Sequence, residues 1–161
     1  MNEIDPRAEG AGCRIGIAVA RFNAEITSLL LTGCRRALVE CGVADDDVTV
    51  VRVPGAWELP LACRNMVGTG SFDAVIALGA VIRGETAHFE FISSECAHGL
   101  QQLALESRTP VAFGVLTPED GEQARRRADP ERADKGREAA LAALEMIALQ
   151  RTLAAPGKMN G

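Results

Sequence analysis

The chain has 161 residues, enough for one domain with a single core and too few for two ordinary ones. Hydrophobic residues at 47% and charged residues at 24% give the balance of a soluble globular protein, not of a disordered or membrane chain. A formal net charge of -5 argues against a nucleic-acid partner, which needs clustered Lys and Arg in excess, and no apolar run approaches the roughly 20 residues of a membrane span.

Residues 1–13 are acidic at the start and lack an apolar signal-peptide core, so they are expected to form a loosely held arm. Residues 15–20 are a short apolar run. Ile26, Leu29, Leu30, Gly33, Ala37 and Leu38 then recur at helical spacing, which predicts a strand followed by a helix over 24–41 with Asn23 and Gly42 at its ends. A β-branched run at 48–53 closes on Pro54-Gly55. Pro60 suits the first turn of a second helix, with Leu61, Met66 and Val67 facing inward until Gly68 and Gly70 stop it.

Residues 74–82 are almost continuously apolar, as in a parallel strand covered on both faces. Thr86 can cap the helix that follows, whose inner stripe reads Phe89, Ile92, Cys96, Leu100 and Leu103. Another apolar strand fills 110–116. Thr117 and Pro118 are expected to open a short helix that ends at Asp129-Pro130, and Asp134 to cap a last helix with Ala140, Leu141, Leu144, Ile147 and Ala148 on its inner side. The domain is expected to cover 14–153, and residues 154–161 to be a flexible tail.

Strands alternating with helices make a βαβ series, and right-handed crossovers put helices on both faces of the sheet. The predicted class is α/β, a three-layer α/β/α sandwich with a four-stranded parallel sheet, flavodoxin-like, preceded by the short N-terminal arm. Ligands of such sheets bind at the carboxyl ends of the strands, here 20–23, 54–58, 79–88 and 113–117.

The five cysteines are odd in number and never spaced CxxC, which indicates neither a disulfide framework nor a zinc ribbon and fits a reducing cytoplasm. Of the two histidines, His88 falls in the first turn of a helix at a strand's carboxyl end. The positive end of the helix dipole disfavours an imidazolium there, so this residue suits accepting or relaying a proton. His98 lies ten positions on and is assigned a structural role. Gly84, Glu85 and Thr86 offer backbone N–H groups and a hydroxyl at the same helix start, an anion site for a phosphate; a plain strand-to-helix turn is the simpler reading. Arg127, in the run Arg125-Arg126-Arg127, is the arginine that could complete it, against a solvated helix face as the simpler reading. Trp57 and Phe22 could wall a planar ring and Glu58 could hold hydroxyls, where core aromatics and a surface acid are the alternatives.

The segments ARFNAEIT, VPGAWELP, ALGAVIRGETAHFEFI and PVAFGVLT, with EQARRRA and DKGREAA after them, resemble the lumazine synthase family from about residue 14 to residue 149. The resemblance implies condensation of a ribitylamino-pyrimidinedione with a dihydroxybutanone phosphate, the penultimate step of riboflavin biosynthesis, with no metal or redox cofactor. It implies that Phe22 and Trp57 flank the pyrimidine, that Ala56 and Glu58 hold the ribityl chain, and that Ala80, Val81 and Ile82 meet the pyrimidine through their backbone. Glu85, Thr86 and Arg127 would bind the phosphate, and His88 would transfer protons. Phe113, Arg127 and Lys135 would come from the neighbouring subunit, so a homo-oligomer of at least a pentamer is implied. Some family members close twelve pentamers into an icosahedral shell, and riboflavin synthase is a further partner in the family. The connector ADPERADKG has no early glycine, so a pentamer is the expectation and the shell stays open. Asp134 stands where the family commonly has asparagine, and Glu85 sets a carboxylate beside the anion site, to be turned to solvent or paired with Arg83.

Two rivals compete with this reading. A flavin-carrying module would need a Ser/Thr/Gly-rich loop after the first strand, where this chain has Arg21-Phe22-Asn23; a paralogue that binds flavin or the lumazine product is its softer form. A shell protein with little activity would have no use for His88, Arg127 and Glu58 together.

Overall fold

A computed structural model describes residues 1–155; residues 156–161, most of the expected tail, lie outside the described residues. Four strands, β1 (Ile15–Ala20), β2 (Val48–Val53), β3 (Ala74–Ala80) and β4 (Val111–Leu116), form one parallel sheet in the order β2-β1-β3-β4. Five helices connect and follow them: α1 (Ala24–Glu40), α2 (Leu59–Gly68), α3 (His88–Ser107), α4 (Gly121–Ala128) and α5 (Lys135–Ala154). The predicted α/β sandwich is the observed architecture.

Side chains alternate across a strand, so each central strand serves two cores. Ile15, Ile17 and Val19 of β1 and Ile76 and Leu78 of β3 pack with α1, α4 and α5. Ala18, Ala20, Val75 and Ala77 face α2 and α3. The face toward α1 and α5 therefore carries the bulkier side chains. Every β1 and β3 residue is buried, which is why both read as apolar runs without alternation.

The α1–α5 crossing is the most extensive contact between helices among the described residues. A Cβ on Gly136 would lie 2.0 Å from Leu30 O, and one on Gly33 would lie 1.9 Å from Asp134 Oδ1. The Asp134 carboxylate is thus seated on Gly33, where it also accepts from Arg137 N at 3.1 Å and caps α5. Burial, with help from nearby Asp134, pushes the Cys34 thiol up to about 12; burial and Cys96 push Cys63 to about 12, and burial pushes Cys96 to about 11. Those thiols behave as small apolar groups.

Several boundaries differ from expectation. β3 ends at Ala80, two residues early. Leu61 is 64% exposed, because α2 starts at Leu59 and its buried stripe is Leu59, Cys63 and Met66. Thr117 and Pro118 do not open α4: Pro118 O accepts from Arg83 N at 3.0 Å, and the cap is Asp120, which accepts from Gln123 N. Thr86 does not cap α3, whose N-cap is Ala87. Leu141 and Ala148 are only partly buried. The expected arm is fixed at its inner end, where Gly10 N donates to Cys41 O at 2.8 Å and Cys13 is fully buried. Two single 3-10 turns, Asp45–Asp47 and Ala56–Glu58, were not anticipated.

Gly136→Ala separates propensity from packing. Alanine is favoured over glycine in a helix by about 1 kcal/mol. The clash with Leu30 O is backbone against Cβ and cannot relax by a rotamer change, so the expected net effect is a loss of about 2 kcal/mol or more, seen as a lower midpoint in thermal unfolding. A raised midpoint would show that α1 and α5 are free to separate.

Candidate active site

Parallel strands bring their carboxyl ends to one edge of the sheet, and a cleft of about 260 Å³ opens there. Phe22 at the end of β1 and Ala56 beyond β2 form one wall, and Ala80, Val81 and Ile82 at the end of β3 form the floor. Gly84, Thr86 and His88 close the third side, with Phe89 and Ile92 of α3 beneath.

Local sequence explains each position. Phe22 N donates to Pro54 O and Arg21 N to Val53 O, so β1 continues beside the chain leaving β2 and leaves the Phe22 ring 71% exposed over the cleft. Asn23 then turns the chain into α1 with φ 57°, a left-handed conformation that asparagine tolerates better than most residues. Its side chain does not cap the helix. Nδ2 instead donates to Ala80 O at 2.9 Å, tying the ends of β1 and β3 together. Val81 N donates to Leu116 O at 2.8 Å. Ala80 O and Val81 N are engaged, whereas Val81 C=O and both backbone groups of Ile82 form no hydrogen bond among the described residues.

Beyond β2, Glu58 folds back so that its Oε2 accepts from Gly55 N at 2.9 Å, and one carboxylate oxygen is already in use. Trp57 is 57% exposed and does not line the cleft. On the third side, residues 83–88 are all exposed, and α3 begins without a side-chain cap. The amides of its first turn are thereby left for water or an anion. Thr86 Oγ1 lies 3.4 Å from His88 N, and His88 is the first residue of α3 with its ring on the cleft wall.

Arg83 sits just before this turn. Its Nε donates to Glu119 Oε2 at 2.7 Å, its Nη1 donates to Glu90, and its guanidinium carbon lies 4.3 Å from the Phe89 ring centroid. Hydrogen bonding from Arg83 holds the Glu90 carboxyl below its usual value. Glu85 consequently does not pair with Arg83 and is exposed.

Trp57, Glu58 and Glu85 are not among the residues that line the cleft, and three more expected residues stand apart from it. Phe113, on edge strand β4 and 48% exposed, shares a shallow concavity of about 360 Å³ with Lys135, whose Nζ pairs with Glu138 at 2.7 Å. Arg127 is exposed at the end of α4. Arg125 pairs with Glu25 and Arg126 with Glu122, but Arg127 forms no ion pair among the described residues. His98 is exposed on α3, away from the cleft. Also among the described residues, no three His, Cys, Asp or Glu side chains cluster to hold a metal ion, and no helix is long and apolar enough to cross a membrane.

Residues 12–151 match the family described as 6,7-dimethyl-8-ribityllumazine synthase. The chain belongs to that family. A relative from Pectobacterium atrosepticum bearing the name 6,7-dimethyl-8-ribityllumazine synthase is 54% identical over 151 residues, covering 91% of this chain and 96% of its own length.

Two residues of the lumazine synthase fold went unseen by sequence reasoning in their actual roles. Asn23 looked like a helix cap, and only its tolerance of the left-handed region hinted at more. Arg83 drew notice only as a partner for Glu85.

Asn23→Ala should lose both the bond to Ala80 O and the tolerance of positive φ, for about 2 kcal/mol in urea unfolding. Asn23→Gly keeps the φ and should lose about half as much. Equal losses in the two variants would mean that the backbone conformation there is unstrained.

Proposed function

We propose that this chain condenses 5-amino-6-(D-ribitylamino)uracil with 3,4-dihydroxy-2-butanone 4-phosphate to give 6,7-dimethyl-8-ribityllumazine, phosphate and water. Membership of the family carries the reaction, and one observation ties it to this chain. An aromatic wall, a floor of backbone polar groups, an uncapped helix start and a histidine all border one cleft.

In this reading Phe22 stacks on the pyrimidine, and Val81 C=O and Ile82 N–H meet its polar edge. Ala56 and the remaining oxygen of Glu58 hold the ribityl hydroxyls, and Trp57 shields that end from outside the cleft. The phosphate lies against the amides and hydroxyl of Glu85 and Thr86. The pyrimidine's 5-amino group attacks the ketone carbonyl, and His88 moves protons as water leaves to form the imine. Phosphate then departs from the terminal carbon, and ring closure onto the ribityl-bearing nitrogen releases further water. The helix N-terminus favours the developing phosphate charge, so His88 need only manage protons.

Phe113, Lys135 and Arg127 belong to the site in this reading, contributed by a neighbouring copy. Arg127 has no ion-pair partner to give up among the described residues, which suits it to a phosphate presented from outside. The assembly is proposed to be a pentamer at least, working in the cytoplasm.

The purified protein should produce the lumazine chromophore from the two substrates, and its native mass should be that of an oligomer; a monomer with full activity would refute the shared site. Arg127→Ala is expected to raise KM for the phosphorylated substrate. His88→Ala should lower kcat on the order of a hundredfold without abolishing it, because holding both substrates together already supplies much of the acceleration.

A further inference from the structure

Arg83 is the last residue before the exposed turn 84–87, and its side chain reaches across that turn. At one end its N–H donates to Pro118 O at 3.0 Å, and its Nε donates to Glu119 at 2.7 Å, both in the connection between β4 and α4. At the other end it donates to Glu90 and stacks on Phe89, both in the first turn of α3. The turn itself has little internal structure: its one side-chain bond among the described residues is the 3.4 Å contact between Thr86 and His88. A segment so poor in bonds takes its shape from what holds its ends.

We propose that Arg83 is a positioning residue for the turn 84–88, setting the separation between the end of β3 and the start of α3 so that Thr86 and His88 face the phosphorylated substrate. This rests on the reading of that turn as the phosphate site. Arg83 touches no substrate. Two carboxylates already claim its one positive charge, so it offers an incoming anion no net attraction; it removes a repulsion that Glu90 and Glu119 would otherwise exert on the phosphate. A dual effect follows: looseness in the turn should weaken phosphate binding and also misalign His88, while leaving the pyrimidine floor, fixed by Asn23 and Leu116, largely in place.

The test measures KM for each substrate, kcat and native mass on the whole assembled protein for Arg83→Ala, Arg83→Lys, Glu119→Gln and Arg127→Ala. Arg83→Ala should raise KM for the butanone phosphate about tenfold and lower kcat, with KM for the pyrimidine changed less than about twofold. Lysine can keep one of the two ion pairs, so Arg83→Lys should recover part of the loss. Glu119→Gln weakens one tether of the turn and should lower kcat as Arg83→Ala does, by less.

The decisive contrast is kcat in Glu119→Gln. If Arg83 were itself a phosphate ligand, neutralising Glu119 would free its charge and lower the KM with kcat unchanged, which would overturn the proposal. An unchanged phosphate KM in Arg83→Ala, or equal rises for both substrates, would overturn it as well. Should Arg83→Ala fail to assemble, Arg83→Lys and Glu119→Gln decide the matter alone. A normal phosphate KM in Arg127→Ala would point instead to failure of the underlying phosphate assignment.

Discussion

The brace between α1 and α5 governs the geometry of everything else. Two helices approach closely enough for one backbone to touch the other only where side chains are missing, and Gly33 and Gly136 supply those gaps. Asp134 fills what space remains with a carboxylate that also caps α5. Each helix begins at one of the two surfaces that the proposed reading assigns to the site. α1 starts beside Phe22 and Asn23 at the cleft, and α5 starts at Lys135 beside Phe113. Locking the helices together fixes the spatial relation between those two surfaces, and the bulky sheet face of Ile15, Ile17, Val19, Ile76 and Leu78 backs the lock.

Charge is managed locally, since the chain as a whole is acidic. Arg83 is absorbed by Glu90 and Glu119, Arg125 by Glu25 and Arg126 by Glu122. These exposed pairs add little to stability individually. At the mouth one arginine faces two carboxylates and Glu85 is exposed nearby, so the positive potential there comes from the uncapped helix start and not from an ionised group.

Much of this was legible in the amino-acid pattern. β1 and β2 fall where their apolar and β-branched runs lie, and the strand-to-helix junction that carries Thr86 and His88 is marked by Gly84 and by the switch from continuous to helical periodicity. The junction after β4 misled because Thr117-Pro118 has the composition of a helix start, while the Pro118 carbonyl is taken up by Arg83, beyond the end of β3 and distant in sequence. Leu61 misled because a one-residue change in phase turns an apolar side chain outward. The cross-links made by Asn23 and Arg83 each join residues that periodicity cannot relate. Lys135 was associated with the cleft by family resemblance alone, Phe113 also through the strand-end segment 113–117 and Arg127 also as a possible anion partner; within one chain all three lie apart from it.

Separating the cleft from the concavity of Phe113 and Lys135 has a genetic consequence on the proposed reading. On that reading two unlike surfaces of the chain join head to tail, and such contacts form a ring where the rotation between copies closes. Every site then straddles two gene products. A chain impaired at His88 and a chain impaired at Arg127 would each be defective alone, yet a mixed ring contains junctions where the intact half of one meets the intact half of the other. Complementation between alleles of a single gene is therefore built into the protomer, and so is its converse, since one doubly impaired chain spoils the junctions on both of its sides.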